Sequence, residues 1–272
     1  MVFKVFFPCH MFCSIYGAEL GEVFDLKLVL FIVTMIMVVF FAVTAVVMKI
    51  EPSNKSRGAM IQAAYRSNFI IMGIPIVINI FGEEHLATAA LAITVVVPIF
   101  NILAVVVLEV FRGGKPNPLH ILKGIATNPL IIGAVLGLLT VVFRVELPEI
   151  AMDVIGQMKS VVTPLALITL GMSLNLKNFS GMKRNLAVCV LGRLVVIPGF
   201  VLSAAALVGI RGVPFVILIA VFASPTAVSS FTMAEQMDSD GPLAANAVVV
   251  SSALASVTMF LWIFLFKSLG MF

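Results

Sequence analysis

Residues 214–241 read "PFVILIAVFASPTAVSSFTMAEQMDSDG". The first ten suit a membrane helix, and then the apolar run gives way to Pro225 followed by the hydroxyls of Thr226, Ser229 and Ser230. Proline removes a backbone donor and clashes with the preceding turn, which breaks a helix. In lipid such a break is tolerated only where the freed groups line a cavity or meet a partner. Pro225 therefore marks a cavity within a bundle. A half-helix starting beyond it would offer free N–H groups and a positive dipole end to an anion.

The composition puts this stretch in a membrane. Of 272 residues, 61% are hydrophobic and only 11% charged, with a mean hydropathy of +1.19, whereas soluble domains are about half apolar and a quarter charged. A span needs roughly 20 apolar residues. Nine fit the chain, at about 2–17, 26–48, 60–81, 86–111, 119–143, 151–175, 185–209, 213–237 and 242–266. These runs are continuous and lack the period-two alternation of a barrel, so the fold class is an all-α polytopic membrane protein. Short connections leave no room for a soluble domain, and any catalysis would have to occur inside the bundle.

The formal charge of +4 does not point to nucleic acid, because the basic residues sort by loop. With the N-terminus inside, the inner side receives Lys4, Lys49, Lys55, Arg57, Arg112, Lys115, Lys123, Lys177, Lys183 and Arg184, and the outer side only Lys27, Arg144, Arg211 and Lys267. That asymmetry follows the positive-inside rule and orients the chain, with the C-terminus outside. Cys9, Cys13 and Cys189 are too scattered for a disulfide framework. Cys9, His10 and Cys13 fall within one helical turn, a spacing open to soft metal ligands but more economically read as buried thiols beside a histidine. The N-terminal stretch, with Lys4 and the small residues Gly17 and Ala18, resembles a signal peptide, but Pro8 in its apolar core argues against that.

An internal repeat organises the spans. Pro8 and Pro164 lie 156 residues apart in segments of similar character. "RSNFIIMGIPIVINIFGEEHLATAA" from Arg66 also parallels "ASPTAVSSFTMAEQMDSDGPLAANA" from Ala223, with Ser67 and Asn68 opposite Pro225 and Thr226 at an offset of 158, and Gly82 opposite Gly241 at 159. A nearly constant offset is the mark of a duplicated half. The span at 119–143 has no partner, which leads to an expectation of two five-helix repeats of opposite orientation, the first lacking its first helix. The domains are then residues 1–111, a central link 112–118 ("RGGKPNP" over Arg112 to Pro118), and residues 119–272.

"ATNPLIIGAVLGLL" (Ala126 to Leu139), "VTPLALITLGMSL" (Val162 to Leu174), "RLVVIP" (Arg193 to Pro198) and "SPTAVSSFTMAEQMDSDGPLAANAVVVSSALASVTMFLWIFL" (Ser224 to Leu265) resemble the auxin efflux carrier family, which includes prokaryotic malate and malonate permeases. The resemblance implies ten helices in two inverted repeats, with the fourth helix of each broken and the two crossing near the midplane. It also implies movement of a crossover domain against a scaffold. On this chain the crossing segments map to Ser67, Asn68 and onward to Pro75, and to Pro225, Thr226 and onward through Ser229 to Ser230. The family often has proline where this chain has Ser67, which leaves the first break resting on Asn68, Gly73 and Pro75. The short central link favours bacterial organic-acid transport over a plant hormone role.

Ionisable residues at depth are costly and usually functional. Arg193 and Lys159 could pair with a substrate carboxylate, or could snorkel or bond carbonyl oxygens at a helix break. Arg66 and Glu235 sit near span ends and read as interfacial, and Gln62, Asn79 and Asn101 as polar glue within the bundle. Gly133-x-x-x-Gly137 offers a close-packing face. "GEEH" (Gly82 to His85) reads as an acidic outer turn, and the sequons at Asn54 and Asn178 fall in inner loops. The chain has no H-E-x-x-H, Walker or G-x-S-x-G motif. The expectation is a multi-pass permease of the cell membrane, most simply a bacterial inner membrane, with no catalytic residues, metal or cofactor. Its partners would be a small organic anion and the bilayer, a homodimer being one assembly open to it. A passive channel, a truncated carrier and a membrane-embedded enzyme are the competing readings.

Overall fold

The structure is a computed structural model and describes residues 2–16, 25–82, 86–112, 118–173 and 181–272. The expectations for Gly17 and Ala18, Glu83 to His85, Lys115 and most of the central link, Lys177 and the Asn178 sequon lie outside the described residues. A π-helical turn at Val2–Phe6 leads into α1 (Phe7–Tyr16). There follow α2 (Leu26–Ile50), α3 (Asn54–Tyr65), α4 (Phe69–Phe81), α5 (Leu86–Val110), α6 (Pro118–Ala126), α7 (Pro129–Val142) and α8 (Glu149–Ser173). A π-helical turn at Gly192–Val196 joins α9 (Lys183–Leu191) to α10 (Ile197–Leu207), and α11 (Val213–Ala223), α12 (Val228–Gln236) and α13 (Gly241–Ser268) complete the chain. Among the described residues there is no strand. Five helices are long and apolar enough to cross a membrane: Leu26–Ile50, Ala92–Val110, Glu149–Ser173, Lys183–Leu207 and Gly241–Ser268. Large apolar side chains such as Phe41, Phe143, Met172, Phe260 and Phe264 point outward, a surface that suits lipid and not water.

The starts of these helices are written locally. Asp25, Asn128 and Asp240 each cap a helix by accepting from the backbone N–H of Leu28, Leu130 and Leu243, at 3.0, 3.0 and 3.1 Å. Asn128 also splits the stretch expected as one span at 119–143, because with Pro129 at the first helical position it starts α7 afresh after α6 ends at Ala126. The π-turn has a similar cause. Pro198 has no N–H for the carbonyl of Leu194, one turn earlier, and the Trp262 indole N–H takes that place at 2.9 Å.

The interior is formed by the short helices. In α11 every residue from Phe215 to Ala223 is buried, and in α3 every residue from Gly58 to Tyr65, as expected of helices enclosed on all sides. Two close approaches rely on glycine. A methyl group at Gly73 of α4 would lie 2.7 Å from the Ala220 Cβ of α11, and one at Gly137 of α7 would lie 2.9 Å from the Phe12 carbonyl oxygen of α1. The Gly133-x-x-x-Gly137 face thus brings α7 against α1. Chain ends gather at two poles. At one, Ser239 Oγ donates to the Lys55 carbonyl (2.7 Å), Ser56 Oγ to Asp240 (2.8 Å), and Arg112 pairs with Asp238 (2.8 Å). At the other, Lys27 Nζ reaches the Val208 carbonyl (3.2 Å) and Gly212 N–H the Met271 carbonyl (2.8 Å).

Candidate functional site

Two helices are interrupted, and the interruptions meet. Between α3 and α4 the backbone leaves the helix at Arg66, Ser67 and Asn68, extended at Arg66, and between α11 and α12 from Ser224 to Ala227, extended at both of those residues. The two segments run antiparallel, with Ser67 opposite Thr226. Asn68 N–H donates to the Pro225 carbonyl (2.8 Å) and Ala227 N–H to the Arg66 carbonyl (3.3 Å). This short bridge is how two breaks coexist in a hydrophobic interior, since each segment satisfies groups freed in the other. The first break therefore sits at residues 66–68. Gly73 serves the contact with α11 instead, and Pro75 lies exposed within α4.

Helix polarity then sorts the crossing into two sides. α3 and α11 both end there, so their carbonyl ends converge on one side. α4 and α12 both start there, and their N–H ends converge on the other, neither with a side-chain cap. On the N–H side is a cavity of about 110 Å³. The crossing segments supply Arg66, Ser67, Asn68, Ala227 and Ser229 to its wall, α1 supplies Phe7 and His10, α5 supplies Phe100 and Asn101, and α8 supplies Val162, Thr163 and Ala166. A larger cleft, lined by Val38, Val46, Leu191 and Phe200, is apolar and opens toward the lipid-facing surface. That cleft offers no polar group that would orient a ligand, and the polar clefts, lined by Thr232, Glu235 and Gln236 or by Asn54 and Arg57, do not include the crossing segments.

Arg66 dominates the cavity. Only 4% exposed, its guanidinium donates to Asn101 Oδ1, to Gln62 Oε1 at 3.3 Å and to Met233 Sδ at 2.8 Å. Among the described residues no carboxylate pairs with it. This corrects its reading as an interfacial residue. Helix α3 starts at Asn54, well before the apolar run expected from residue 60, so Arg66 falls at the centre of the interrupted helix. Gln62 and Asn101, expected as bundle glue, hold its side chain, while Asn79 donates to the Pro75 carbonyl of its own helix (2.7 Å). Buried charge without a counter-ion is expensive, and here two helix N-termini add positive potential to it. The cavity therefore carries positive charge that no carboxylate among the described residues balances. Ser67 Oγ is buried beside it without a protein partner.

The other expected site residues divide. Ser67, Asn68 and Ser229 line the cavity. Thr226 lies behind it, its hydroxyl donating to the Ala63 carbonyl (2.7 Å) and its N–H to Ser251 Oγ (3.1 Å). It therefore faces Ser67 and not Asn68, a shift of one residue from the expected pairing. Pro225 accepts from Asn68 and sets the break, and Ser230 is buried one position beyond Ser229 with its hydroxyl unpartnered. Lys159 is exposed on α8, and Arg193 lies across the crossing on the carbonyl side with all five guanidinium N–H groups on backbone oxygens. Sequence reasoning missed Arg66, His10, Asn101 and Thr163. The signal for Arg66 was its place directly before the Ser-Asn break; at the offset of 159 that relates Gly82 to Gly241, and not at 158, it is the counterpart of Pro225. No group of three or more metal-binding side chains occurs among the described residues, Cys9, His10 and Cys13 included.

Two proteins and one family model are similar to the chain. An uncharacterised transporter of Methanocaldococcus jannaschii is 24% identical over 216 residues, covering 77% of this chain and 68% of that protein. One of Methanothermobacter thermautotrophicus is 27% identical over 270 residues, covering 96% of this chain and 86% of that protein. The sequence profile described as "Membrane transport protein" matches residues 1–119 and 118–263. With nearly its whole length so matched, the chain belongs to the membrane transport protein family, as a multi-pass transporter of the cell membrane.

Proposed function

We propose that the chain is a secondary carrier of small organic anions, of the size of malate, malonate or an auxin-like acid, which bind in the cavity at the crossing. The observation that carries this reading is Arg66, a buried guanidinium with no carboxylate partner among the described residues, lining a cavity that the uncapped N-termini of α4 and α12 also line. A substrate carboxylate would supply the missing counter-charge, with Ser67, Asn68 and Ser229 as further polar contacts. At ~10–15 Å³ per water, the cavity of about 110 Å³ holds about seven to eleven water-sized groups, which suits a small acid.

Residues 1–111 and 119–272 would form the two inverted repeats, and the wall of the cavity supports this. Phe7 and Thr163, and His10 and Ala166, line it in pairs 156 residues apart, while Asn68 and Ala227, Phe69 and Val228, and Ile70 and Ser229 do so at 159. Two repeats closing around one site is the plan of many secondary transporters. The pole bearing Lys55, Arg57 and Arg112 would face the cytoplasm. Uptake of radiolabelled malate, malonate and indole acetate into proteoliposomes tests the reading. Saturable flux is expected; flux linear in concentration would mean a channel, and none for any small acid would overturn it.

A further inference from the structure

The carbonyl side of the crossing has its own cation. Resting on the anion-carrier reading above, we propose that Arg193 is a tethered cation occupying the place where a coupling ion would otherwise be held, so that transport by this chain runs without sodium. Its Nε donates to the Ser224 carbonyl at 2.8 Å, Nη1 to the carbonyls of Ala64 (3.3 Å) and Tyr65 (2.9 Å), and Nη2 to those of Val221 (3.1 Å) and Phe222. The five oxygens come from the ends of both α3 and α11. The residue is fully buried, and no carboxylate pairs with it among the described residues. Its counter-charge is the pair of helix C-termini, each carrying about half a negative charge, so that the two roughly balance one guanidinium.

Discontinuous helices in transporters commonly hold sodium on such unwound carbonyls and C-terminal ends. Here most of those oxygens are taken. The carbonyls of Gln62, Ala63 and Arg66 accept from Arg66 N–H, Thr226 Oγ1 and Ala227 N–H, and those of Ala220 and Pro225 from Ser224 Oγ and Asn68 N–H. With Arg193 on Ala64, Tyr65, Val221, Phe222 and Ser224, only the carbonyls of Ser67, Ala223 and Thr226 in the two breaks accept no hydrogen bond among the described residues, and these are too few to ring a desolvated ion. The π-turn at Gly192–Val196 widens the helix where the guanidinium leaves it. The cation is thus part of the polypeptide and cannot cross the membrane with the substrate.

The test uses the purified full chain in detergent and in proteoliposomes. The parent should melt at the same temperature, and take up a transported acid at the same rate, in sodium, potassium and choline chloride. A saturable rise in its melting temperature with sodium, or a requirement for sodium in uptake, would overturn the proposal. Arg193→Ala, leaving five carbonyls without donors, should melt roughly 5–10 °C lower. Millimolar guanidinium, but not choline, should raise it again and leave the parent unchanged. If Arg193→Ala melts like the parent, or guanidinium does not raise it, the tethered-cation role fails. Should Arg193→Ala not be recoverable, Arg193→Lys keeps the charge with fewer donors and should melt below the parent without gaining sodium dependence; a parent-like melting temperature or sodium dependence in that variant would count against the role. The melting arm needs no substrate, so failure to find a transported acid would overturn the carrier reading and leave this proposal standing on its own measurement.

Discussion

Replacing Arg66 by glutamine separates binding from folding. In the proposed carrier the guanidinium would contribute a charge-assisted bond to a bound carboxylate, and losing such a bond costs ~1.5–3 kcal/mol. At ~1.4 kcal/mol per tenfold, KM for uptake should rise by about ten- to a hundredfold. Stability should move little or in the opposite direction. The buried charge has only Asn101, Gln62 and Met233 as acceptors, so its removal relieves a desolvation cost of several kcal/mol, while the glutamine amide can still reach toward Asn101. A melting temperature within about 3 °C of the parent, or above it, corresponds to a change of no more than ~1 kcal/mol or to a gain. Arg66→Lys should fall between the two in KM, since it keeps the charge but not the planar fork. The assay is concentration-dependent uptake in proteoliposomes at matched protein levels, with melting measured on the same preparations. An unchanged KM in Arg66→Gln would refute the assignment. A large drop in melting temperature would refute the argument that the charge is a cost held for function.

Asn68→Ala should weaken uptake by about tenfold through a lost polar contact, whereas Thr226→Val should leave KM alone and lower the melting temperature, because its hydroxyl serves the Ala63 carbonyl; uptake kinetics beside a melting curve distinguish them. Gly73→Ala forces a methyl group to 2.7 Å from Ala220 Cβ and should destabilise by about 1–3 kcal/mol, read as a lower melting temperature. Trp262→Phe frees the Leu194 carbonyl and should cost ~1–3 kcal/mol. In a Pro198→Ala background, where a backbone N–H can take that carbonyl, the same change should cost less, and a double-mutant cycle measures the difference.

The sequence by itself determined the solvent and the class of fold. Apolar runs are local sums, and a bilayer admits few answers to them. It also located the second break, because proline acts on its own turn, and the close-packing glycines of α7. The Asn-Pro start of α7 was equally legible and was passed over inside an apolar run that read as one span. Hydropathy misplaced the start of α3, since polar residues from Asn54 to Gly58 occupy its end at one pole, and with that shift Arg66 looked peripheral. Only the tertiary structure decided what the buried ions do. Arg66 and Arg193 are the same residue type in similar apolar surroundings, yet one lines a cavity with two helix N-termini and the other bonds the carbonyls of two C-termini. That difference depends on the direction of each half-helix at the crossing and on a register between segments 159 residues apart, with Ser67 opposite Thr226. Neither is a property of a local stretch, because helix polarity becomes a charge at a site only when packing brings the ends together.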